Sequence, residues 1–338
     1  MIEQIGKLVR GESLTEAEAA AAMGTIMNGD ATPAQIAGFV IALRIKGESA
    51  DELTGMARAA REHATPIQAG DGLLDTCGTG GDGAGTFNIS TLAGIVAAAC
   101  GARVAKHGNR AASSTCGSAD VLEALGVKID LGPEGVARCI KEAGIGFLFA
   151  PVFHPSFRFA TGPRRELGVR TVFNILGPLC NPAGASRQAL GVADGALAAT
   201  MAEVLGRLGV ERALVFHAED GMDELSTVAP SRVIEVRDGQ RHEHRLDPVE
   251  LGLARATAAD VRGGGPTENA AIANDVLSGA AGPRRDIVLL NAAAALRVAG
   301  LADDWKDGLA LAAEAIDSGK AAATLDRWVA VSQAVAVA

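Results

Sequence analysis

The sequence predicts an α/β protein with two parts, a small N-terminal helical domain over residues 1–68 and a larger α/β domain over residues 69–338. Residues 1–65 carry helix-start signals and apolar positions at helical spacing. From Gly72 onward, short apolar runs instead alternate with alanine-rich helical segments. That alternation is typical of a mainly parallel central sheet flanked by helices.

The N-terminal part contains three capping boxes, in which a Ser or Thr precedes a Glu or Gln by three residues. They are Ser13 with Glu16, Thr32 with Gln35, and Ser49 with Glu52. Apolar residues within 36–43 form one helical stripe. Such stripes must be buried, either within the helical unit or in a dimer interface.

The larger part contains several short runs that we expect to be strands. They are residues 73–74, 103–105, 146–149, 213–216 and 231–236. Residues 197–208 predict a helix, and the alanine-rich stretch 268–331 predicts helices that cover the sheet. The sequence therefore predicts one central sheet, with helices that cover it and loops that connect each strand to the next helix.

Composition limits the classes of function. The 338 residues carry a formal net charge of −9, which argues against a general nucleic-acid binder. No apolar run approaches the roughly 18 residues needed to cross a bilayer. The chain opens with Met1 and charged sequence rather than a secretory signal, and its five cysteines include no C-x-x-C pair. We expect a cytoplasmic protein with reduced thiols.

A glycine-rich loop follows the first predicted strand and contains Gly78, Gly80, Gly81, Gly83 and Gly85. Glycine lets backbone N–H groups approach a ligand closely, and a helix N-terminus behind such a loop favours an anion. The helix is predicted over residues 92–100. Its N-cap is predicted among Asn88, Ser90 and Thr91.

Two rival motifs fit this loop poorly. The spacing of Gly78, Gly80 and Gly83 satisfies the dinucleotide fingerprint, but Lys106 stands where that motif requires an acid. The P-loop also fails, because Thr86 follows Gly85 where Lys is required. A simple tight turn remains an alternative for the loop taken alone.

A second polar loop, residues 106–118, follows the strand predicted at 103–105, and a helix is predicted over 119–125 with Gly126 as its C-cap. The loop carries cations at Lys106 and Arg110 and adjacent hydroxyls at Ser113 and Ser114. Loops of consecutive βα units face the same crevice at the carboxyl ends of the strands. We therefore expect a polyanionic ligand with more than one phosphate.

Two charged clusters have competing interpretations. Arg158, Arg164, Arg165 and Arg170 fall within thirteen residues, where they either form surface ion pairs or include one receptor for a carboxylate. The adjacent acids Asp223 and Glu224 follow the predicted strand 213–216. These acids are either an exposed helix start or a Mg²⁺ site, and the expected phosphates favour Mg²⁺.

Histidines and cysteines near the loops also have two interpretations. His107 is a general acid or base, or a hydrogen-bonding member of its loop, and we favour the second. His154 is predicted to be a structural residue of the loop that shapes an acceptor pocket. Cys77 and Cys116 are not expected to act as nucleophiles.

Taken together, two motifs carry a family resemblance. Gly78-Thr-Gly-Gly-Asp82 with Asn88-x-Ser-Thr91, followed by Lys106-His-Gly-Asn-Arg-Ala-x-Ser-Ser114, resembles the anthranilate phosphoribosyltransferases of tryptophan biosynthesis. The resemblance covers essentially the whole chain. It implies transfer of a phosphoribosyl group from phosphoribosyl diphosphate (PRPP) to anthranilate. It also implies two Mg²⁺ ions per subunit, a homodimer formed through the N-terminal helices, and helices from about 155–182 joining that unit.

The resemblance also implies a set of site residues. PRPP would be bound by Gly78, Gly81, Asp82, Thr86, Asn88, Ile89, Ser90, Thr91, Lys106, His107, Gly108, Asn109, Arg110, Ala111, Ala112, Ser113, Ser114 and Ser118. Anthranilate would be bound by Gly78, Asn109 and Arg164, and Mg²⁺ by Ser90, Asp223 and Glu224. Lys106, His107 and Asn109 would act by electrostatics and positioning.

One departure and two alternatives remain. Gly162-Pro163 stands where the family usually has Pro-Val, which affects the expected loop geometry beside Arg164. The alternatives are a pyrimidine nucleoside phosphorylase-like enzyme and a non-catalytic relative that binds nucleic acid. The Lys106–Ser114 motif and the Asp223-Glu224 pair argue against the phosphorylase, and the net acidity argues against the nucleic-acid binder.

Overall fold

Four helices occupy the start of the chain in the computed structural model, which describes residues 1–111 and 114–336. They are α1 (Ile2–Val9), α2 (Glu16–Met27), α3 (Pro33–Lys46) and α4 (Ala50–Glu62). The capping boxes of Thr32 with Gln35 and of Ser49 with Glu52 are both present. These two helix starts are therefore confirmed.

The start of α2 corrects the first capping box. Thr15, not Ser13, is the N-cap, and its hydroxyl accepts the backbone N–H of Glu18 at 3.3 Å. The Glu18 carboxylate accepts the Thr15 N–H at 3.0 Å in return. With Thr15 as the cap, Leu14 precedes the helix and enters the core, where it is 1% exposed. Burial of Leu14 favours this cap, which lies two residues after the predicted one.

In the described part of the chain, seven strands and eleven further helices follow. The strands are β1 (Leu74–Gly78), β2 (Val104–Gly108), β3 (Ile145–Phe149), β4 (Arg187–Gly191), β5 (Arg212–Ala218), β6 (Ser231–Arg237) and β7 (Gln240–Leu246). The helices are α5 (Ile89–Ala99), α6 (Ser118–Ala124), α7 (Pro133–Ala143), α8 (Ala150–Phe153), α9 (Arg158–Leu167), α10 (Val172–Leu176), α11 (Ala198–Arg207), α12 (Pro266–Leu277), α13 (Pro283–Ala299), α14 (Trp305–Asp317) and α15 (Lys320–Ala336). Short 3₁₀ turns lie at Pro155–Phe157, Gly177–Leu179, Gly195–Leu197 and Pro248–Leu251.

The strands form one sheet in the order β3-β2-β1-β4-β5-β6-β7. The first five strands of that order are parallel, and β6 and β7 add an antiparallel edge. The predicted mainly parallel sheet is confirmed, although β4 and β7 were not predicted. The carboxyl ends of β1, β2 and β3 are neighbours, so the loops that follow them share one edge of the sheet.

Two apolar cores cover the two faces of the sheet. One core contains α5 and the C-terminal helices α12 to α15. The other contains the N-terminal helices together with residues of α9, α10 and α11, such as Ala160 and Val172. Residues 158–176 thus share a core with the N-terminal helices. In the described part of the chain, no helix is both long and apolar enough to cross a membrane.

Candidate active site

A cleft of about 570 Å³ lies at the carboxyl ends of β1, β2 and β3, and residues 150–178 form its opposite wall. The predicted site residues that line it are Gly78, Gly81, Asp82, Thr86, Asn88, Ser90, Thr91, Lys106, His107, Gly108, Asn109, Arg110, Ala111, Ser114, Ser118, Arg164, Asp223 and Glu224. Ile89 does not line the cleft, because its side chain is buried in the core. Ala112 and Ser113 lie outside the described residues.

The segment after β5 places the Asp223 carboxylate against the ends of β1 and β4. A Cβ atom at Gly78 would collide with the Asp223 carboxylate, and one at Gly191 would collide with the Asp223 backbone. The Gly80 N–H donates to Asp223 Oδ2 at 2.6 Å. Since only glycine permits this approach, Gly78 and Gly191 have a packing role beyond turning the chain.

Helix α5 begins three residues earlier than predicted, at Ile89, with Asn88 as its N-cap. The Asn88 side chain makes no capping bond, and Ser90 lies inside the first turn. The Ser90 N–H donates to Glu224 Oε1 at 3.1 Å. The helix N-terminus therefore faces the cleft and already donates a hydrogen bond to the Glu224 carboxyl group there.

Lys106 is buried between β1 and α5, and it lies within β2 rather than in the loop that was predicted to begin with it. Its side chain is 1% exposed, and Nζ donates to the Thr76 carbonyl and, at 3.3 Å, to Ser90 Oγ. Burial lowers the pKa of Lys106, and the nearby Asp75 carboxylate opposes that shift. Asp75 itself accepts the His107 N–H at 3.2 Å. The cation is thus held in a fixed position behind the first turn of α5.

The two carboxylates among the three predicted metal ligands have strongly raised pKa values. Burial raises the pKa of Asp223 to about 7, with a further contribution from Asp82. Burial raises the pKa of Glu224 to about 8, with a further contribution from Asp223. Asp82, Asp223 and Glu224 repel one another, and a cation bound beside Asp223 and Glu224 would relieve that repulsion.

The donor set around these carboxylates suits Mg²⁺. Within residues 1–111 and 114–336, no three His, Cys, Asp or Glu side chains converge on one metal position. A cation at Asp223 and Glu224 would therefore complete its shell with the Ser90 hydroxyl, water or phosphate oxygens. Mg²⁺ prefers a few carboxylates together with such ligands.

The four clustered arginines occupy different positions. Arg158, Arg164 and Arg170 line the cleft, whereas Arg165 does not. Arg170 donates to the Gly80 carbonyl at 2.7 Å. Arg164 lies 5.4 Å from the centre of the Phe173 ring, and burial lowers its pKa. None of these three arginines forms an ion pair with a described residue, but Arg164 is half-buried whereas Arg158 and Arg170 are exposed. The Arg164 guanidinium is therefore the best placed to receive a carboxylate.

Arg110 is engaged elsewhere, although it lines the cleft. Its guanidinium pairs with Asp120 and Glu123, each at 2.9 Å. These bonds raise the pKa of Arg110. Because two carboxylates of the α6 region already neutralise it, Arg110 contributes less positive charge to the cleft than Lys106 or Arg164.

The two histidines of the cleft are uncharged at neutral pH. Burial lowers the pKa of His107 to about 3 and that of His154 to about 4. His107 Nδ1 lies 3.2 Å from the Gly177 carbonyl, and His154 Nε2 lies 2.9 Å from the Cys180 carbonyl. A carbonyl can only accept, so these nitrogens carry the protons. The other ring nitrogens are acceptors, which disfavours an acid role for either residue.

The thiols beside the cleft are inert. Burial raises the pKa of Cys77 well above its ordinary value, and it also raises the pKa of Cys116. All five cysteines of the chain are unpaired. Neither thiol is activated for nucleophilic attack.

Comparison with known proteins places the chain in a family. A model described as "Glycosyl transferase family, helical bundle domain" matches residues 2–64, and one described as "Glycosyl transferase family, a/b domain" matches residues 70–322. The chain is 66% identical to anthranilate phosphoribosyltransferase 2 of Streptomyces coelicolor over 316 residues, which cover 93% of this chain and 94% of that protein. The chain belongs to the anthranilate phosphoribosyltransferase family.

Solved structures of this family share the fold. The anthranilate phosphoribosyltransferase of Thermus thermophilus superposes with a TM-score of 0.92 at 50% identity, over 98% of this chain and 99% of that one. The Saccharomyces cerevisiae protein, solved in complex with PRPP and Mg, gives 0.90 at 28% identity over 98% of each chain. The same yeast protein with 4-fluoroanthranilate gives 0.89 at 26% identity, over 98% of this chain and 97% of that one.

These findings confirm the family, the fold class and the glycosyltransferase activity predicted from the two loop motifs. They favour the transferase over the nucleoside phosphorylase-like enzyme and the non-catalytic nucleic-acid binder. The departure from the family pattern at Gly162-Pro163 leaves the local structure helical. Pro163 is buried inside α9, which continues to Leu167 and ends at Gly168 in the left-handed conformation.

Two buried asparagines reach the site from helices that the sequence assigned only to covering the sheet. Asn269 of α12 hydrogen bonds to the Asn88 side chain, and Asn291 of α13 accepts the Leu225 N–H at 3.0 Å, beside Glu224. Asn269 is one of several polar residues in α12, so its sequence position gives little signal. Asn291 stands out only as a buried amide among apolar neighbours.

Proposed function

We propose that the protein transfers the 5-phosphoribosyl group of PRPP to the amine of anthranilate, giving N-(5-phosphoribosyl)anthranilate and diphosphate. The observation that supports this proposal is that one cleft contains two chemically different groups of residues. A helix N-terminus, Lys106 and two carboxylates lie at one end, and an unpaired Arg164 lies over an aromatic ring at the other. That arrangement suits a polyanionic donor and an aromatic carboxylate acceptor.

The donor end stabilises the leaving diphosphate. The amine nitrogen bonds to the anomeric carbon, the bond from that carbon to the diphosphate oxygen breaks, and the amine loses one proton. Negative charge grows on the diphosphate as its bond breaks, so fixed donors at that position lower the barrier. The backbone of 78–83, Ser90 and Lys106 would supply them. Asn88, Thr91, Ser113 and Ser114 would hold the phosphates, with the other predicted residues of 82–118 completing the site.

Mg²⁺ fits the remaining part of the donor end. Ser90, Asp223 and Glu224 would hold it, and we propose two ions per subunit. When bound, the ions neutralise the charge of the diphosphate and orient it. The two carboxylates must lose their protons to bind a cation, and their raised pKa values couple that binding to proton release.

The acceptor end positions anthranilate. Arg164 would bind the carboxylate as a two-pronged donor, and Asn109 and Gly78 would orient the ring beside the anomeric carbon. An aromatic amine is already neutral at pH 7, so it attacks without a strong base. The uncharged state of His107 and His154 agrees with a reaction that depends on position.

The assembly and location follow as further proposals. We propose that residues 1–68, joined by about 155–182, act as one unit against the larger domain of residues 69–338, in the cytoplasm. We also propose a homodimer through the N-terminal helices. Ile2, Val9 and Ile45 of α1 and α3 are 76%, 72% and 81% exposed, and such apolar surface is typical of an interface.

A fluorescence assay tests the reaction. The protein is mixed with Mg²⁺, PRPP and anthranilate, and loss of anthranilate fluorescence is followed. We expect turnover that stops when EDTA removes the metal. Parallel reactions with phosphate and a pyrimidine nucleoside test the phosphorylase alternative. If anthranilate fluorescence does not fall at any Mg²⁺ concentration, the proposed transferase activity is refuted.

A further inference from the structure

Asn269 connects a C-terminal helix to the donor end of the cleft without lining the cleft itself. It lies in the first turn of α12 and is 1% exposed. Its Oδ1 accepts the Gly264 N–H at 2.7 Å, and its Nδ2 donates to Asn88 Oδ1 at 3.0 Å. Asn88 lines the cleft, and the two asparagines are 181 residues apart in the chain.

The direction of these hydrogen bonds is fixed at both ends of the network. The Gly264 N–H can only donate, so the Asn269 oxygen must face it and the Asn269 amide group must face Asn88. At the other end, Asn88 Nδ2 donates at 3.2 Å to the Cys116 carbonyl, which can only accept. The Cys116 thiol adds a contact of 3.4 Å to Asn88 Oδ1. Only one orientation of the Asn88 amide satisfies every partner.

That orientation leaves a donor for the ligand. Asn88 Nδ2 has two N–H groups, and within the described part of the chain the Cys116 carbonyl is its one acceptor. Its second N–H therefore has no acceptor among the described residues, and Asn88 lines the cleft where phosphate oxygens are expected. A reversed amide would present an oxygen to the same anion and repel it.

The segment before Asn269 also joins the two polar loops. The Gly263 N–H donates to the Gly85 carbonyl at 2.9 Å, and the Thr115 hydroxyl donates to the Gly264 carbonyl at 3.0 Å. A Cβ at Gly263 would lie 2.6 Å from the Phe87 backbone, closer than packed atoms allow. The glycine-rich loop and the 106–118 loop thus share one support, and Asn269 extends it to Asn88.

We propose that Asn269 is a positioning residue for the donor substrate, which holds the Asn88 amide with an N–H group facing the phosphate oxygens. The inference rests on the proposed function, because it assumes that PRPP binds at this end of the cleft. Asn269 touches no substrate and acts only through Asn88. Its loss should weaken PRPP binding and leave anthranilate binding intact.

The Asn269→Asp variant tests this most sharply. A carboxylate keeps the acceptor for Gly264 N–H but places a second oxygen against Asn88 Oδ1, so the Asn88 amide loses its fixed direction. Aspartate in a first helical turn is favourable, so α12 should still form. We expect the KM for PRPP, and its Kd from calorimetry with Mg²⁺, to rise roughly tenfold, as for one lost hydrogen bond to a charged group. The KM for anthranilate should stay within about twofold.

A double-mutant cycle separates positioning from general damage. In an Asn88→Ala background, Asn269→Asp should raise the KM for PRPP by less than about twofold, because the residue through which Asn269 acts is gone. An equal rise in the KM for PRPP in the wild-type and Asn88→Ala proteins would overturn the proposal. Should the Asp variant fail to fold, Asn269→Ser, which is too short to reach Asn88, takes its place in the same cycle.

Ser332→Ala is the matched control. Ser332 is fully buried in α15, accepts the Lys128 N–H at 3.0 Å and does not line the cleft. It should lower stability without moving either KM. Wild-type protein that neither turns over nor binds PRPP would refute the proposed function itself. Wild-type turnover with unchanged PRPP affinity in the Asn269 variants would refute only the positioning role.

Discussion

The two ends of the cleft are built differently. At the donor end the polar groups bind one another: Gly80 donates to Asp223, Ser90 donates to Glu224, and Lys106 donates to Ser90. At the acceptor end, Arg164 has no acidic partner among the described residues. His107 and His154, which also line the cleft, each keep one buried ring nitrogen without a hydrogen bond to a described residue.

We infer from this difference that the donor end mainly stabilises the transition state and that the acceptor end mainly binds anthranilate. The donor end is a charged network that a metal and phosphates can enter by replacing protein hydrogen bonds, so removal of its charged groups should lower turnover. The acceptor end offers one cation over apolar and neutral surfaces, so changes there should raise the KM for one substrate. The variants below test this separation, from the largest expected effect to the smallest.

Replacing both carboxylates should have the largest effect. Asp223→Asn with Glu224→Gln removes the negative charge that a cation requires, and we expect kcat to fall roughly a hundredfold to a thousandfold. The Mg²⁺ concentration for half-maximal rate should rise in a metal titration. Glu219→Gln, an exposed acid outside the cleft that pairs with Arg245, is the control. Superimposable metal titrations would show that the pair does not hold the metal.

Arg164→Ala should act on the acceptor alone. Loss of one charged, two-pronged hydrogen bond is expected to raise the KM for anthranilate roughly tenfold to a hundredfold, with the KM for PRPP unchanged. Arg165→Ala changes the neighbouring arginine, which does not line the cleft, and should change neither constant. A similar rise in both KM values for Arg164→Ala would end the distinction between the two ends.

The depressed pKa of His107 predicts a pH effect on stability. The folded protein keeps His107 neutral down to about pH 3, whereas the unfolded chain takes up a proton near pH 6.5. Between those values the unfolded state binds more protons, so the free energy of unfolding falls as pH falls, by up to about 1.4 kcal/mol per pH unit.

His107→Gln should remove this part of the slope. The test is denaturant unfolding at several pH values between 6.5 and 4, comparing wild type with the variant. The groups that face the imidazole are His154, Lys106 and the Gly177 carbonyl, and all three remain in the variant. Equal slopes in the two proteins would mean that His107 is not held neutral in the fold.

The smallest effect is expected at the start of α2, away from both ends. Thr15→Ala removes the observed N-cap and should lower the free energy of unfolding by about 1 kcal/mol. Ser13→Ala changes the cap that the sequence suggested and should stay within about 0.5 kcal/mol of wild type. Both variants should retain both KM values. A larger loss for Ser13→Ala would contradict the observed cap.

Local sequence signals predicted most of the fold. Strands β1, β2, β3, β5 and β6 overlap the apolar runs, and the glycine-rich loop follows β1 as expected. The second loop begins at Asn109 and not at Lys106, because β2 continues to Gly108. The edge strand β7 was missed because six of its seven residues are polar or charged and its side chains mostly face solvent. Strand β4 follows a proline-rich turn and begins with Arg187 and Gln188, so its apolar run is short.

Local sequence signals also predicted only part of the site. Gly78, Lys106 and Asp223 belong to motifs, so the sequence could point to them. The partners that hold them in place could not be found in this way. Asn269 meets Asn88 only because α12 folds back over the loops. Long-range hydrogen bonds of this kind leave no local pattern, and the same reason explains why Asp75 was given no role.

A crystal structure of the protein soaked with PRPP and Mg²⁺ tests the central claim most directly. The account predicts diphosphate density between the 78–88 and 106–118 loops, metal beside Asp223 and Glu224, and the anomeric carbon pointing toward Arg164. Diphosphate bound at the Arg164 end, or metal bound away from the two carboxylates, would contradict it.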